Sequence, residues 1–188
     1  MIEAIFRREV VVDKRISRVI GVITFVILTS LGAFVRIPLP FTPVPLTLQT
    51  FFVLLSGLFL GGLGTVSQVI YVLLGVAGLP IFSTAASGLY YLCGPTAGYI
   101  FGFILAALFL GKFIKQAKGK LFPVFILLCL ADFIILACGT LWLKTTLGLS
   151  YGRSFLIGFI PFIPGDGLKI LFAAGIYMKL KDRLREIF

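Results

Sequence analysis

The stretch PFIPGDGLK, Pro161 to Lys169, runs directly into LKILFAAGIYMKL, Leu168 to Leu180, and the reading of this junction decides the fold. The second run has the composition of a membrane helix, and the first sets Asp166 and Lys169 at its start. A carboxylate or an ammonium in a bilayer costs roughly 2.5–3.5 kcal/mol by insertion scales, so such groups face a protein interior or a polar cavity. Three residues apart, the two side chains leave the helix on nearly the same face, where they pair with each other or jointly hold a ligand that offers both a donor and an anionic acceptor. Pro161, Pro164 and Gly165 are expected to break the helix just ahead of them, leaving free N–H groups at a positive dipole end.

The rest of the chain supports a membrane setting. Of its 188 residues 60% are hydrophobic and 13% charged, with a mean hydropathy of +1.14, against about 45–50% apolar and about 25% charged in soluble domains. The net charge of +10 comes from basic runs between apolar segments, which reads as anchoring at a membrane surface and not as a nucleic-acid face. With no histidine, His-based acid–base chemistry, Ser-His-Asp triads and His-rich zinc sites are excluded; no metal or cofactor is expected. Cys129 and Cys138 fall on opposite sides of one expected helix and Cys93 stands alone, so no disulfide is expected.

Six helices are expected, in one all-α integral membrane domain over 1–188. Residues 1–18, with Arg7, Arg8, Lys14, Arg15 and Arg18, form an amphipathic segment on the inner membrane surface. The first helix covers Val19 to Val35. In RIPLPFTPVPLTLQT, Arg36 to Thr50, the prolines at 38, 40, 43 and 45 exclude a helix before Leu46 and give a stiff, extended loop. The second helix, Leu46 to Leu60, carries Thr47, Gln49 and Thr50 in its first two turns, and Gln49 is open to two readings, an interhelical hydrogen bond or ligand contact. GGLG, Gly61 to Gly64, turns into a third helix ending near Gly78. LPIFSTAASGLYYLCGP, Leu79 to Pro95, is long and aperiodic, the pattern of a lining loop or lid. The fourth helix, Thr96 to Gly111, has Gly98, Gly102 and Ala106 at four-residue spacing for close helix packing. The fifth, Leu121 to Leu143, holds Asp132 mid-span, as a structural hydrogen-bond acceptor or a proton relay. An irregular stretch around Gly148 to Gly165 precedes the sixth, which ends in a basic tail, 179–188.

With the N-terminus inside, only Arg36, Lys144, Arg153 and Lys169 of the 17 basic residues fall outside, so both termini are expected in the cytoplasm. The three irregular stretches then share the outer face with Asp166 and Lys169. Non-helical backbone at membrane depth is tolerated where it lines a cavity, which gives an outward-opening site walled by Tyr90, Tyr91, Tyr99 and Phe162. Gly119-Lys120 lacks the spacing of a phosphate-binding loop, so the chain is not expected to hydrolyse nucleotide itself.

RIPLPFTPVPLTLQT, GPTAGY (Gly94 to Tyr99) and PFIPGDGLK, in this order, resemble the BioY biotin transporters, the substrate-capturing S components of energy-coupling factor transporters. The resemblance extends over nearly the whole chain. It implies a six-helix bundle in the cell (inner) membrane that takes up biotin from outside, energised by a partner transmembrane protein and two ATPase subunits, or working by self-association without that module. It maps the GDxxK motif to Asp166 and Lys169 at the biotin site. It adds, from the outer ends of the second and fourth helices and the loop before the fourth, Thr47, Gln49, Ser83, Thr84, Tyr90, Thr96 and Tyr99. Members often dock the partner through an Ala-xxx-Ala face on the first helix. Here Ile23 and Ile27 stand at those positions, with Gly21, Ser30 and Ala33 as the remaining small residues.

A different class of reading is a small membrane enzyme acting on a lipid or other amphipathic substrate, with Asp132 or the Asp166/Lys169 pair as acid and base. Nothing in the chain resembles a nucleophile with an orienting partner. A non-catalytic scaffold has no reason to gather polar and proline-rich segments on one side.

Overall fold

A computed structural model of the chain describes residues 14–187, with side chains described through Asp182. The amphipathic segment expected before Lys14, and the last side chains of the basic tail, lie outside those residues. Among them the chain forms α1 (Lys14–Phe34), β1 (Arg36–Ile37), β2 (Leu46–Thr47), α2 (Gln49–Leu60), α3 (Gly62–Val76), α4 (Ala97–Phe113), α5 (Leu121–Leu147), α6 (Tyr151–Gly158) and α7 (Ile163–Ile187), with short 3-10 turns between. Four helical segments are long and apolar enough to cross a membrane: Lys14–Phe34, Ala97–Ala117, Leu121–Leu147 and Tyr151–Asp182. The protein is thus an all-α membrane protein.

α2 sits at the centre, packed against α1, α3, α4 and α7, with Val53 and Leu54 wholly buried. At 12 residues it is about 18 Å long, short of a ~30 Å hydrocarbon core. The proline-rich segment that precedes it is not simply an extended loop. Arg36 pairs with Thr47 and Ile37 with Leu46 in a short antiparallel ladder, and the prolines lie in the turn between. Leu46 and Thr47 are therefore strand residues, and the helix begins only at Gln49.

The small-residue stripe of α4 does pack closely, and its partner is α5. A Cβ on Gly98 would lie 2.2 Å from the Trp142 Cβ and 2.6 Å from the Cys138 carbonyl oxygen, and one on Gly102 would meet the Ile135 Cα at 2.8 Å. On α1, Gly21, Gly32 and Ala33 are buried inside the bundle. A Cβ on Gly32 would touch the Gln49 backbone nitrogen at 3.0 Å. The outward face is instead made of bulky side chains, with Ile23 and Ile27 each about half exposed. The small residues of this helix therefore serve internal packing, and the outward face offers no close-approach groove.

Two stretches differ from the sequence expectation near the junction. The segment after Gly148 is not irregular throughout: α6 forms there, and the Arg153 N–H donates to the Ser150 side chain at its start, an N-cap contact. Pro164 and Gly165 do not stop α7 ahead of Asp166; they occupy its first turn. There a proline costs nothing, because its absent N–H has no acceptor in that turn anyway. The break lies earlier, at Phe159 (φ −123°, ψ −60°) and the 3-10 turn Ile160–Phe162.

The 79–95 loop is tied down at its middle and at its far end. Gly88 N–H donates to the Gly75 carbonyl (2.8 Å), and the Trp142 indole donates to the Gly94 carbonyl (3.0 Å). Phe82, fully buried, presses its ring so closely on α3 that a Cβ on Gly75 would sit 2.2 Å from it. Gly75→Ala is expected to push out Phe82, and with it the Tyr91 ring stacked on Phe82 at 5.0 Å. The expected cost is about 1–3 kcal/mol of stability, read as an earlier thermal unfolding midpoint in detergent.

Candidate functional site

At the end of the bundle where α2, α4 and α7 begin, a tight cavity of about 40 Å³ opens. It is a narrow slot, lined as small-molecule sites are by apolar and aromatic side chains with a few polar groups. Its apolar walls are Val44, Leu46, Ile100, Phe103, Leu136 and Phe162, and Tyr99 closes one side. Tyr99 donates to the Gly158 carbonyl (2.6 Å), which ties α4 to the end of α6, and its ring packs on Phe162 at 5.7 Å.

One polar group of the slot is built on Asp166 and Lys169, which are 2% and 9% exposed. The Lys169 ammonium uses three donors: to Asp166 Oδ1 (2.7 Å), to the Thr47 carbonyl (2.6 Å) and to Thr50 Oγ1 (2.9 Å). Thr50 in turn donates to Asp166 Oδ1 (3.2 Å). A buried ammonium with three acceptors is satisfied, while the carboxylate is not: Asp166 Oδ2 is buried with no hydrogen-bond partner among the described residues. Beside them Gln49 donates to the Tyr71 hydroxyl (2.6 Å) and accepts from Thr47 Oγ1 (3.3 Å). The turn from strand to helix at Thr47–Gln49 brings this set onto α7, since a carbonyl at the end of β2 is not consumed by the helix that follows.

A second polar group faces the slot from the 79–95 loop. The Tyr91 phenol is flanked by Thr96 and Ser83, with the Arg36 guanidinium near enough to act on it. Burial raises the Tyr91 phenol above its ordinary value, so it stays a neutral donor. Ser83 Oγ is buried without a hydrogen bond of good geometry among the described residues. The slot thus has two polar regions with apolar walls alongside them.

Of the residues anticipated from the sequence, Thr47, Gln49, Ser83, Thr96, Tyr99, Asp166 and Lys169 all line this cavity. Thr84 and Tyr90 do not. Thr84 (φ 69°) and Ala85 (φ 55°) make the reversal that pairs Phe82 with Ala86, which turns Ser83 inward and leaves Thr84 at the surface. Tyr90 and Tyr91 are neighbours on a 3-10 turn, where adjacent side chains diverge by about 120°; Tyr91 takes the inner side and Tyr90 is 90% exposed. Thr84→Ala and Tyr90→Ala are accordingly expected to leave ligand affinity within about twofold of the parent, measured by titration.

Thr50 is the polar lining residue that sequence reasoning did not select. The signal was its place one residue after Gln49 in the first turn of α2, facing α7. Asp132 lies outside the lining but only one turn from Leu136. It is buried, its Oδ1 has no partner among the described residues, and Asp166 and Lys169 are the charges acting on it.

These features define the class: an all-helical membrane protein with a small-molecule cavity at one end, recognised by a buried carboxylate–ammonium pair. The model of the BioY family matches residues 7–186. The biotin transporter BioY of Thermotoga maritima is 40% identical over 159 residues, covering 84% of this chain and 91% of that protein. The probable biotin transporter BioY of Pyrococcus horikoshii is 39% identical over 158 residues, with the same coverage. A crystal structure of the S-component for biotin from an ECF-type ABC transporter has the same fold, with a TM-score of 0.85 at 24% identity over 90% of this chain and 93% of that one. The chain belongs to the BioY family.

Proposed function

We propose that this protein is the biotin-capturing membrane subunit of an uptake system, and that the slot is its biotin site. The observation that carries the reading is the unpartnered Asp166 Oδ2 beside a fully engaged Lys169. A ureido ring offers two N–H donors and a carbonyl acceptor. Its N–H groups suit Asp166 Oδ2, and its carbonyl suits the second amide N–H of Gln49, which lines the slot and donates only once, to Tyr71. The thioether ring and alkyl chain suit Ile100, Phe103, Leu136 and Phe162, and the carboxylate suits the Ser83, Tyr91 and Thr96 hydroxyls with Arg36 behind them. Family membership supports the ligand, since the relatives above are named as biotin transporters.

In this reading the chain is a single membrane unit crossing the cell (inner) membrane six times, through α1 to α5 and α7, with α6 as an outer cap and both ends in the cytoplasm. The short apolar helices Gln49–Leu60 and Gly62–Val76 add to the four long segments to make six. A partner transmembrane protein and two ATPase subunits supply the energy, or self-associated copies act without them. Nothing in the slot favours the membrane-enzyme alternative, which family membership sets aside.

Calorimetric titration of the purified protein in detergent with biotin tests this directly. One-to-one saturable binding without turnover is expected, weakened by about 1.5–3 kcal/mol in Asp166→Asn through loss of a charge-assisted acceptor. A folded parent protein that does not bind biotin would sink the assignment.

A further inference from the structure

A second cavity lies at the opposite end of the bundle, where α2 ends, α3 begins, α4 runs out and α7 nears its end. It is wider than the first: water centres can occupy about 420 Å³ there, against about 40 Å³ in the slot. Its floor is backbone. Gly111 approaches Gly61 so closely that a Cβ on it would sit 2.6 Å from the Gly61 carbonyl, whereas a Cβ on Gly62 would meet nothing. One wall is the aromatic pair Phe59 and Tyr177, stacked at 5.8 Å.

Among the described residues that line it, the charge is of one sign. Lys115 and Lys181 line the cavity, and no described carboxylate does. Lys181 is held by one hydrogen bond to the Gly119 carbonyl (2.7 Å), which leaves two of its three N–H donors for another acceptor. Lys115 is exposed, and its side chain reaches the cavity from the turn that follows α4. Two ammonium groups, an aromatic shoulder and a glycine floor suit a phosphate joined to an apolar body.

We propose that this cavity binds the headgroup of an anionic phospholipid, with the phosphate between Lys115 and Lys181 and the glycerol end against Phe59 and Tyr177. The position at the helix ends is the depth of lipid headgroups, and basic pockets between membrane helices recognise such groups. The assignment of this end to the inner leaflet rests on the orientation proposed above; the headgroup site itself does not depend on it.

The test is lipid retention by native mass spectrometry, with thermal unfolding in parallel, on the full chain in detergent with phosphatidylglycerol, phosphatidylcholine or soluble glycerol 3-phosphate. Phosphatidylglycerol is expected to be retained one-to-one and to raise the unfolding midpoint, and the other two are not. Lys115→Gln/Lys181→Gln is expected to lower retention roughly fivefold per lysine. Lys112→Gln/Lys120→Gln, which removes the same charge from residues outside the cavity lining, is expected to keep it. Biotin titration at the other end reports folding separately, so loss of biotin binding by the parent bears on the transport reading and not on this one. If the double variant does not fold, Lys115→Gln alone carries the comparison, its side chain being exposed. Equal loss of phosphatidylglycerol in both lysine pairs would overturn the proposal. So would equal retention of phosphatidylcholine, or full stabilisation by glycerol 3-phosphate.

Discussion

Lys169→Met is expected to lower stability by about 3–5 kcal/mol, because it leaves the Asp166 carboxylate buried without its counter-charge. Asp166→Asn alone is expected to cost a similar amount, since the buried Lys169 ammonium is then left with neutral acceptors only. The double variant Asp166→Asn/Lys169→Met removes both charges and leaves neither orphaned. Its thermal unfolding midpoint in detergent is expected to return close to that of the parent, because neutral replacements of a buried pair are often tolerated. Biotin affinity behaves differently. It stays low in the double variant as in both single ones, since the carboxylate acceptor offered to the ureido ring is either gone or no longer held in place by Lys169. A purely structural salt bridge predicts the opposite separation, with binding recovering as stability does.

The second large effect concerns the contact that holds the slot's far wall. Gly98→Val places a branched side chain where even a Cβ meets the Trp142 Cβ at 2.2 Å and the Cys138 carbonyl oxygen at 2.6 Å. The second of these is helix backbone, so α4 and α5 must separate. Trp142 would then lose its position under the Gly94 carbonyl, and Tyr99, which fits against Gly139, would move with α4. Overpacking of this kind costs about 1–3 kcal/mol when side chains can yield, and more is expected here because backbone must move. Yield of folded protein and the unfolding midpoint measure it, and Gly98→Ala should show a milder form of the same loss.

The sequence disclosed the parts of this molecule that depend on local rules. α1, α4 and α5 follow from uninterrupted apolar runs, and the Asp166/Lys169 pair follows from the cost of charge in a bilayer together with its three-residue spacing. What stayed hidden depends on partners distant in the chain or on competing local signals. The Arg36–Ile37 pairing with Leu46–Thr47 spans four prolines, and no periodicity in so short a ladder announces it. α6 was masked by Gly148, Gly152 and Arg153, although Ser150 carried a helix-start signal that could have revealed it. Pro164 reads as a breaker until its place in a first turn is known. In the loop, Ser83 and Thr84, or Tyr90 and Tyr91, look equivalent in sequence. Only the left-handed reversal at Thr84 and the 3-10 turn at Leu89–Cys93 decide which member of each pair faces inward.

The measurement that bears most directly on the account is an experimental structure of the protein with biotin bound. A ureido nitrogen is expected within about 2.7–3.2 Å of Asp166 Oδ2, with the Lys169–Asp166 contact retained and the biotin carboxylate turned toward Ser83, Tyr91 and Thr96. Biotin seated elsewhere, or seated in the slot with Asp166 Oδ2 still without a partner, would contradict it.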